Sequence, residues 1–317
     1  MNRNTKKKLI RMIRTPVECV AIVLGLLLIP VWPRRCIVAA ATFLGWFMSG
    51  VCVRQTRIME ANLDVMYGDT LDKAERRRIV RGAGAHAALV LLDFFWFSWF
   101  TRRRVLRHVT MGPEFERMMM KPDGVLLVAS HFGNWELGAM RGVLLRGKAV
   151  IVFAKLGTVF AQRMMLRLRT RLGVTMVPRD GAMVALLRAV RDGLPMALLL
   201  DQHIGEDEGG IWVNFFGKPA LMSSAAGVLA VKRHVTVALT TPWYRAGGRI
   251  HVESVEIMPP EVATDVRTVT QWVADAMERQ IREDPAQWLL MYRRWRNVKP
   301  GDSHETYPFY ADKPRNK

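Results

Sequence analysis

Apolar positions along the 317-residue chain change rhythm twice. Residues 17–29 carry one charge, Glu18, and after the break Pro30-Val31-Trp32-Pro33-Arg34-Arg35 residues 36–53 carry none. The second run reaches the lower end of the spanning range of about 17–25 residues, and the first falls short of it. From residue 55 to 100 the pattern is helical, with a helix start at Leu71-Asp72-Lys73-Ala74-Glu75-Arg76 and an aromatic finish, Phe94-Phe95-Trp96-Phe97-Ser98-Trp99-Phe100.

Beyond Gly112-Pro113 short apolar runs alternate with amphipathic ones. Strands are predicted at 125–129, 149–153, 174–177, 196–200, 235–241 and 250–255, the pattern leaving antiparallel pairing open for the last two. Helices are predicted at 137–145, 159–172, 182–190, 223–231 and 265–282. Regular strand–helix succession implies an α/β fold with a largely parallel or mixed central sheet flanked by helices, carried behind an N-terminal helical membrane anchor. The expected division is 1–54 as anchoring helices, 55–112 as a helical lead-in, 113–300 as the α/β domain and 301–317 as a tail.

Charge sharpens the picture. Lys and Arg number 47 against 28 Asp and Glu, a net +19, which calls for an anionic partner. Arg3, Lys6, Lys7, Lys8, Arg11 and Arg14 precede Pro16 without an acid. Pro-Val-Trp-Pro-Arg-Arg is a poor cleavage site, so the apolar start reads as a retained anchor, re-entrant or interfacial, with its basic flanks on the cytoplasmic side; a buried core helix is the alternative for 36–53. Thr101-Arg102-Arg103-Arg104 beside the aromatic cluster suits anionic lipid headgroups, or equally a solvated loop. Cys19, Cys36 and Cys52 are the only cysteines, which excludes a disulfide framework and a cysteine metal site.

The chemistry concentrates in Ser130-His131-Phe132-Gly133-Asn134-Trp135-Glu136, between a strand exit and a helix start. A turn at Phe132-Gly133 can fold His131 over the first helical turn. A carboxylate there would hold one ring nitrogen and leave the other to take a proton. Backbone amides of Gly133 and Asn134 are candidate oxyanion donors. Nine cations and no acid lie between residues 137 and 179: Arg141, Arg146, Lys148, Lys155, Arg163, Arg167, Arg169, Arg171 and Arg179. Such a block is a solvated face or a binder of phosphates or of an acidic protein. Asp201 follows an apolar strand as a supporting residue or a cap. His203 with Glu206, Asp207 and Glu208 lies on a Gly-rich loop, and a metal is not expected; nor is any cofactor. Met118-Met119-Met120 and Met164-Met165 suit an acyl groove or ordinary core packing.

His131 and Glu136 with four residues between them resemble the signature of glycerolipid-type acyltransferases, and His131-Phe132-Gly133-Asn134-Trp135-Glu136 resembles the late lipid A acyltransferase family. Asp201-Gln202 with residues 210–220, and Asp284-Pro285-Ala286-Gln287-Trp288-Leu289-Leu290-Met291-Tyr292-Arg293-Arg294-Trp295, are similar to two further blocks of that family. The similarity extends over residues 8–296. Tyr292 departs from it, since many members have His there, and the Phe-Pro-Glu-Gly-Thr-Arg run of the glycerol-phosphate branch is absent.

The resemblance implies acyl transfer from an acyl carrier protein thioester to a hydroxyl of a lipid A precursor at the bacterial inner membrane, on its cytoplasmic face. His131 would be general base and Glu136 its orienting carboxylate, with Arg169 and Arg171 the cations nearest the site. Direct attack needs no covalent enzyme intermediate. Ser130 adjoins His131 but no Gly-x-Ser-x-Gly elbow is present. Competing readings are acylation of another glycolipid, such as a phosphoinositide mannoside or an aminolipid, a silent membrane scaffold, and a basic nucleic-acid-binding protein. Against the last, no nucleic-acid-binding motif is found and the cations sit beside apolar anchors.

Overall fold

Seven strands hydrogen-bond in the order β1-β9-β8-β2-β5-β3-β4 in a computed structural model that describes residues 3–153, 159–170 and 172–312. They are β1 (Val109–Met111), β2 (Leu126–Ala129), β3 (Ala149–Phe153), β4 (Val174–Pro178), β5 (Met196–Leu199), β8 (Val237–Arg245) and β9 (Arg249–Met258). Only β8 and β9 pair antiparallel, the hairpin orientation left open by the sequence; the other neighbours are parallel. The expected α/β architecture with a mostly parallel, mixed sheet is therefore what forms. β6 (Gly210–Phe215) and β7 (Lys218–Ser223) make a separate antiparallel hairpin. Its two-residue turn takes positive φ at Phe216 (53°) and Gly217 (74°), as a twisted hairpin requires.

Strand side chains alternate between two apolar layers. Leu126, Val128, Val237 and Leu239 face one cluster, which includes Leu186, Leu229, Met277, Trp288 and Trp295. Leu127, Ala238, Ile250 and Val252 face the other, with Ile37, Leu89, Phe115 and Leu137. Such burial on both faces explains why the central strands read as unbroken apolar runs. The helices are α1 (Arg3–Leu28), α2 (Arg34–Val51), α3 (Val53–Tyr67), α4 (Lys73–Trp96), α5 (Thr101–His108), α6 (Pro113–Met119), α7 (Trp135–Arg146), α8 (Val159–Thr170), α9 (Ala182–Arg191), α10 (Ala225–Arg233) and α11 (Val266–Glu283). α4 starts where the sequence marks it: Asp72 caps the amides of Ala74 and Glu75, and Glu75 returns a bond to the Asp72 amide.

The apolar run at 36–53 is α2. It buries Ile37, Ala41 and Gly45, one side at helical spacing, and a Cβ at Gly45 would collide with the backbone of Ala85 on α4. Its other side exposes Phe43, Trp46 and Phe47, and α1 exposes Val20, Leu24 and Leu27. Among the described residues one helix, α4, is long and apolar enough to cross a membrane, and α2 with α3 meets that measure together across a 93° bend. The side chains of the basic residues before Pro16 and of Met164-Met165 lie outside the described set, as do Lys155 and Arg171.

The N-terminal helices are tied to the sheet by a buried carboxylate. Asp93 on α4, 1% exposed, accepts from both terminal nitrogens of Arg34 on α2 (Nη2 at 3.2 Å), from Asn134 Nδ2 (3.0 Å) and from the Tyr244 hydroxyl (2.8 Å). Replacing Asp93 by Ala strands a largely buried guanidinium and is expected to cost about 3–5 kcal/mol in urea unfolding; a loss under about 1 kcal/mol would show the cluster to be incidental.

Candidate active site

β2 and β5 are parallel neighbours in the register Ala129 with Leu199, so the residues two positions past each strand emerge side by side. Those residues are His131 and Asp201. The imidazole Nδ1 lies 2.7 Å from Asp201 Oδ1, while the His131 amide donates to Asp201 Oδ2 at 3.0 Å. Trp288 Nε1 donates to the same Oδ2 at 2.8 Å. With Nδ1–H given to the carboxylate, Nε2 carries the lone pair, and it makes no hydrogen bond among the described residues. The Trp135 ring packs edge-on against the imidazole, centroids 4.8 Å apart.

Asp201 is 2% exposed. Burial alone would raise its carboxyl pKa. The His131 charge and the hydrogen bonds from His131 and Trp288 outweigh burial and hold it below the ordinary carboxylate value.

Glu136 stands elsewhere. The sequence makes it the partner of His131, but its carboxylate takes both a short contact from Arg169 Nη2 and Nε at 2.7 Å, with Trp135 Nε1 at 3.2 Å. Glu136 is therefore not the carboxylate on the imidazole. Helix α7 begins at Trp135, so Glu136 points out from its first turn toward α8, while the strand register delivers Asp201 to the ring. Trp135 bridges the two groups, touching His131 with its ring and Glu136 with its nitrogen.

The amides of Gly133 and Asn134 also differ from expectation. Gly133 N donates to Gln287 O (2.9 Å) and Asn134 N to Pro242 O (3.2 Å), so neither is free to meet an oxyanion. The Asn134 side chain caps α7 through the Leu137 amide (3.1 Å). Gly133 has φ +55°, and a Cβ there would collide with the Pro242 carbonyl, so the turn requires glycine. Ser130 is fully buried and donates to Gln280 Oε1 (2.7 Å), which removes it as a nucleophile.

The C-terminal block completes the site. Phe132 bridges to Trp288, Leu289 N donates to His131 O (2.9 Å), and the Gln287 side chain accepts from Tyr244 N (2.8 Å). Arg294 is buried with Nη1 on Leu221 O (2.7 Å), Nε and Nη2 have no partner among the described residues, and burial draws its guanidinium down to about 10. No group of three metal-ligating side chains forms among the described residues. Sequence reasoning left Trp288 and Gln287 without roles, although both lie in the quoted block.

Fold and site define an α/β protein whose adjacent strand exits carry a histidine–carboxylate pair suited to proton transfer. Residues 4–297 match the family model of bacterial lipid A biosynthesis acyltransferases, and the chain belongs to that family. It is 25% identical over 178 residues to the phosphatidylinositol mannoside acyltransferase of Mycobacterium tuberculosis (strain ATCC 25618 / H37Rv), 54% of each chain. To the enzyme of that description in Mycolicibacterium smegmatis it is 25% identical over 182 residues, 54% of this chain and 57% of the other. To the lipid A biosynthesis lauroyltransferase of Escherichia coli K12 it is 22% identical over 254 residues, 78% and 81%. The chain spans about half the length of the mycobacterial relatives it matches.

A carboxyl held low in the fold stabilises it above the unfolded carboxylate pKa, about 3.9, and loses that contribution as pH falls through the folded value. The stability gap between wild type and Asp201→Asn is accordingly expected to widen as pH rises through the carboxylate range. A gap independent of pH would mean that Asp201 is not ionised against His131.

Proposed function

We propose that the chain moves a fatty acyl group from an acyl carrier protein thioester to a hydroxyl of a lipid A precursor. The observation that carries this reading is the Asp201–His131 pair at the strand exit, with Nε2 unbonded among the described residues. In the proposed step His131 Nε2 removes the hydroxyl proton while the oxygen attacks the thioester carbon. The tetrahedral oxyanion collapses, the carbon–sulfur bond breaks, and the imidazolium returns the proton to the departing thiolate. An ester and a free thiol result, with no bond to the enzyme. Asp201 keeps the ring in the Nδ1–H form and stabilises the transient imidazolium, a role worth about 10²–10⁴ in rate. Arg169, held by Glu136, whose carboxylate also accepts from Trp135 Nε1, is the cation offered to the oxyanion.

The net +19 suits an acidic carrier protein and an anionic bilayer. The exposed apolar sides of α1 and α2 are placed at the inner-membrane surface, cytoplasmic face, as an interfacial anchor. A phosphoinositide mannoside as acceptor is the second reading, favoured by the relatives of that description at 25% identity.

His131→Ala is expected to abolish acyl transfer from acyl carrier protein to lipid A precursor in purified membranes, and Asp201→Asn to lower turnover about 10²–10⁴-fold. Glu136→Ala and Arg169→Ala are each expected to cost about 10²–10³-fold. Mass spectrometry of lipid A from cells with and without the gene separates the acceptors: one acyl chain fewer on lipid A supports the first reading, and unchanged lipid A beside an altered inositol glycolipid supports the second. Full turnover by His131→Ala would defeat both.

A further inference from the structure

Helix α5 reads Thr-Arg-Arg-Arg-Val-Leu-Arg-His, with Val105 buried beneath it. Arg103 with Arg107, and Arg104 with His108, are pairs four apart and share one side of the helix. With Arg34, Trp96 and Phe100 they wall a cavity of about 360 Å³ that contains no acidic lining residue. Two of its cations are already engaged. Arg34 holds Asp93 and donates to Gly248 O (2.6 Å). Arg104 donates to the carbonyls of Trp96 and Pro30 (2.7 Å to the latter), its guanidinium 4.0 Å from the Trp96 ring centroid. Arg103 and Arg107 are exposed and have no ion-pair or hydrogen-bond partner among the described residues. Burial, and then the charges of Arg34, Arg107, Arg249 and Arg104, push the His108 imidazole down to about 4.

The rim is apolar. Phe100 is 68% exposed, Leu106 lines an adjoining surface cavity with Phe100, Arg103 and Arg107, and Trp96 Nε1 donates to the carbonyl of exposed Trp32 (2.9 Å), at the break between α1 and α2. A duplex or an acidic protein would match the cations but not these rings. A phospholipid matches both, with phosphate on the arginines and chains on the rim.

We propose that this cavity is a headgroup site for an anionic phospholipid of the bilayer surface, its phosphate held between Arg103 and Arg107 and its chains laid over Phe100, Leu106 and Trp32. This rests on the membrane-surface reading above and names the lipid class and residues. Arg34 lines the cavity and also holds Asp93, which holds Asn134, so an occupied pocket fixes the catalytic turn at one height over the bilayer.

The test is flotation of the detergent-purified full chain with phosphatidylcholine vesicles, with and without phosphatidylglycerol. The wild type is expected to prefer the anionic vesicles. Each arginine near the surface contributes about 5-fold, so Arg103→Ala with Arg107→Ala should weaken that binding roughly 25-fold. Lys232→Ala with Arg233→Ala on α10 should leave it unchanged. Soluble glycerol phosphate should raise the His108 titration midpoint in proton NMR relative to the protein alone. Equal weakening by both double variants, or a His108 midpoint unmoved by glycerol phosphate, overturns the pocket in favour of diffuse charge. Displacement from the cavity by carrier protein, without preference for phosphatidylglycerol, overturns it in favour of a protein dock. A wild type that floats equally with both vesicles overturns the pocket but leaves the membrane reading; one that floats with neither overturns both. Acyl transfer in detergent micelles, assayed in parallel, reports on the chemical step independently.

Discussion

The Asp201 carboxylate, 2% exposed, takes three donors on its two oxygens: the ring and amide of His131 and the Trp288 indole. A buried carboxylate is tolerable only when so satisfied. That requirement fixes the imidazole in orientation and tautomer, fixes the chain direction after β2, and draws the C-terminal block up to the strand exits. The parallel register of β2 and β5 supplies the geometry without any local motif. The histidine–carboxylate pair is thus a property of two neighbouring strand ends rather than of the turn that carries the histidine.

A second buried carboxylate, Asp93, does the same on the other side of the turn. It receives Arg34, Tyr244 and Asn134, and Asn134 caps α7. Buried ion pairs contribute little net stability against an apolar replacement, but breaking one is costly, so they enforce a geometry more than they strengthen a fold. Between them the two carboxylates hold residues 131 and 134 from opposite ends, one through the sheet and one through the helices that carry the exposed apolar surface. Gly133 is pinned between Pro242 and Gln287.

Much of the sheet is legible in the sequence because its central strands are buried on both faces and read as short apolar runs between helices; residues 149–153 and 196–200 show this directly. β1 is three residues long and leaves no pattern, and the hairpin of β6 and β7 hides because its turn is set by Phe216-Gly217, not by an Asn-Gly or Asp-Gly pair. The sequence pairs His131 with Glu136 and the structure pairs it with Asp201, for a physical reason. Glu136 is near in sequence, but a helix starting at Trp135 turns it toward Arg169, whereas Asp201 is seventy residues away and adjacent in space. One signal could have found it: His131 and Asp201 each stand two residues past an apolar strand, and parallel neighbours bring such positions together. The committed amides of Gly133 and Asn134 were invisible for the same reason, since their acceptors, Gln287 and Pro242, come from distant strands and loops.

The most direct measurement is nitrogen-15 NMR of the histidine rings, with the His131 signals assigned by their loss in His131→Ala. The Nδ1–H tautomer is expected in wild type and in Glu136→Gln, and a mixture of tautomers in Asp201→Asn. A tautomer that shifts in Glu136→Gln and holds in Asp201→Asn would contradict the assignment of the imidazole to Asp201.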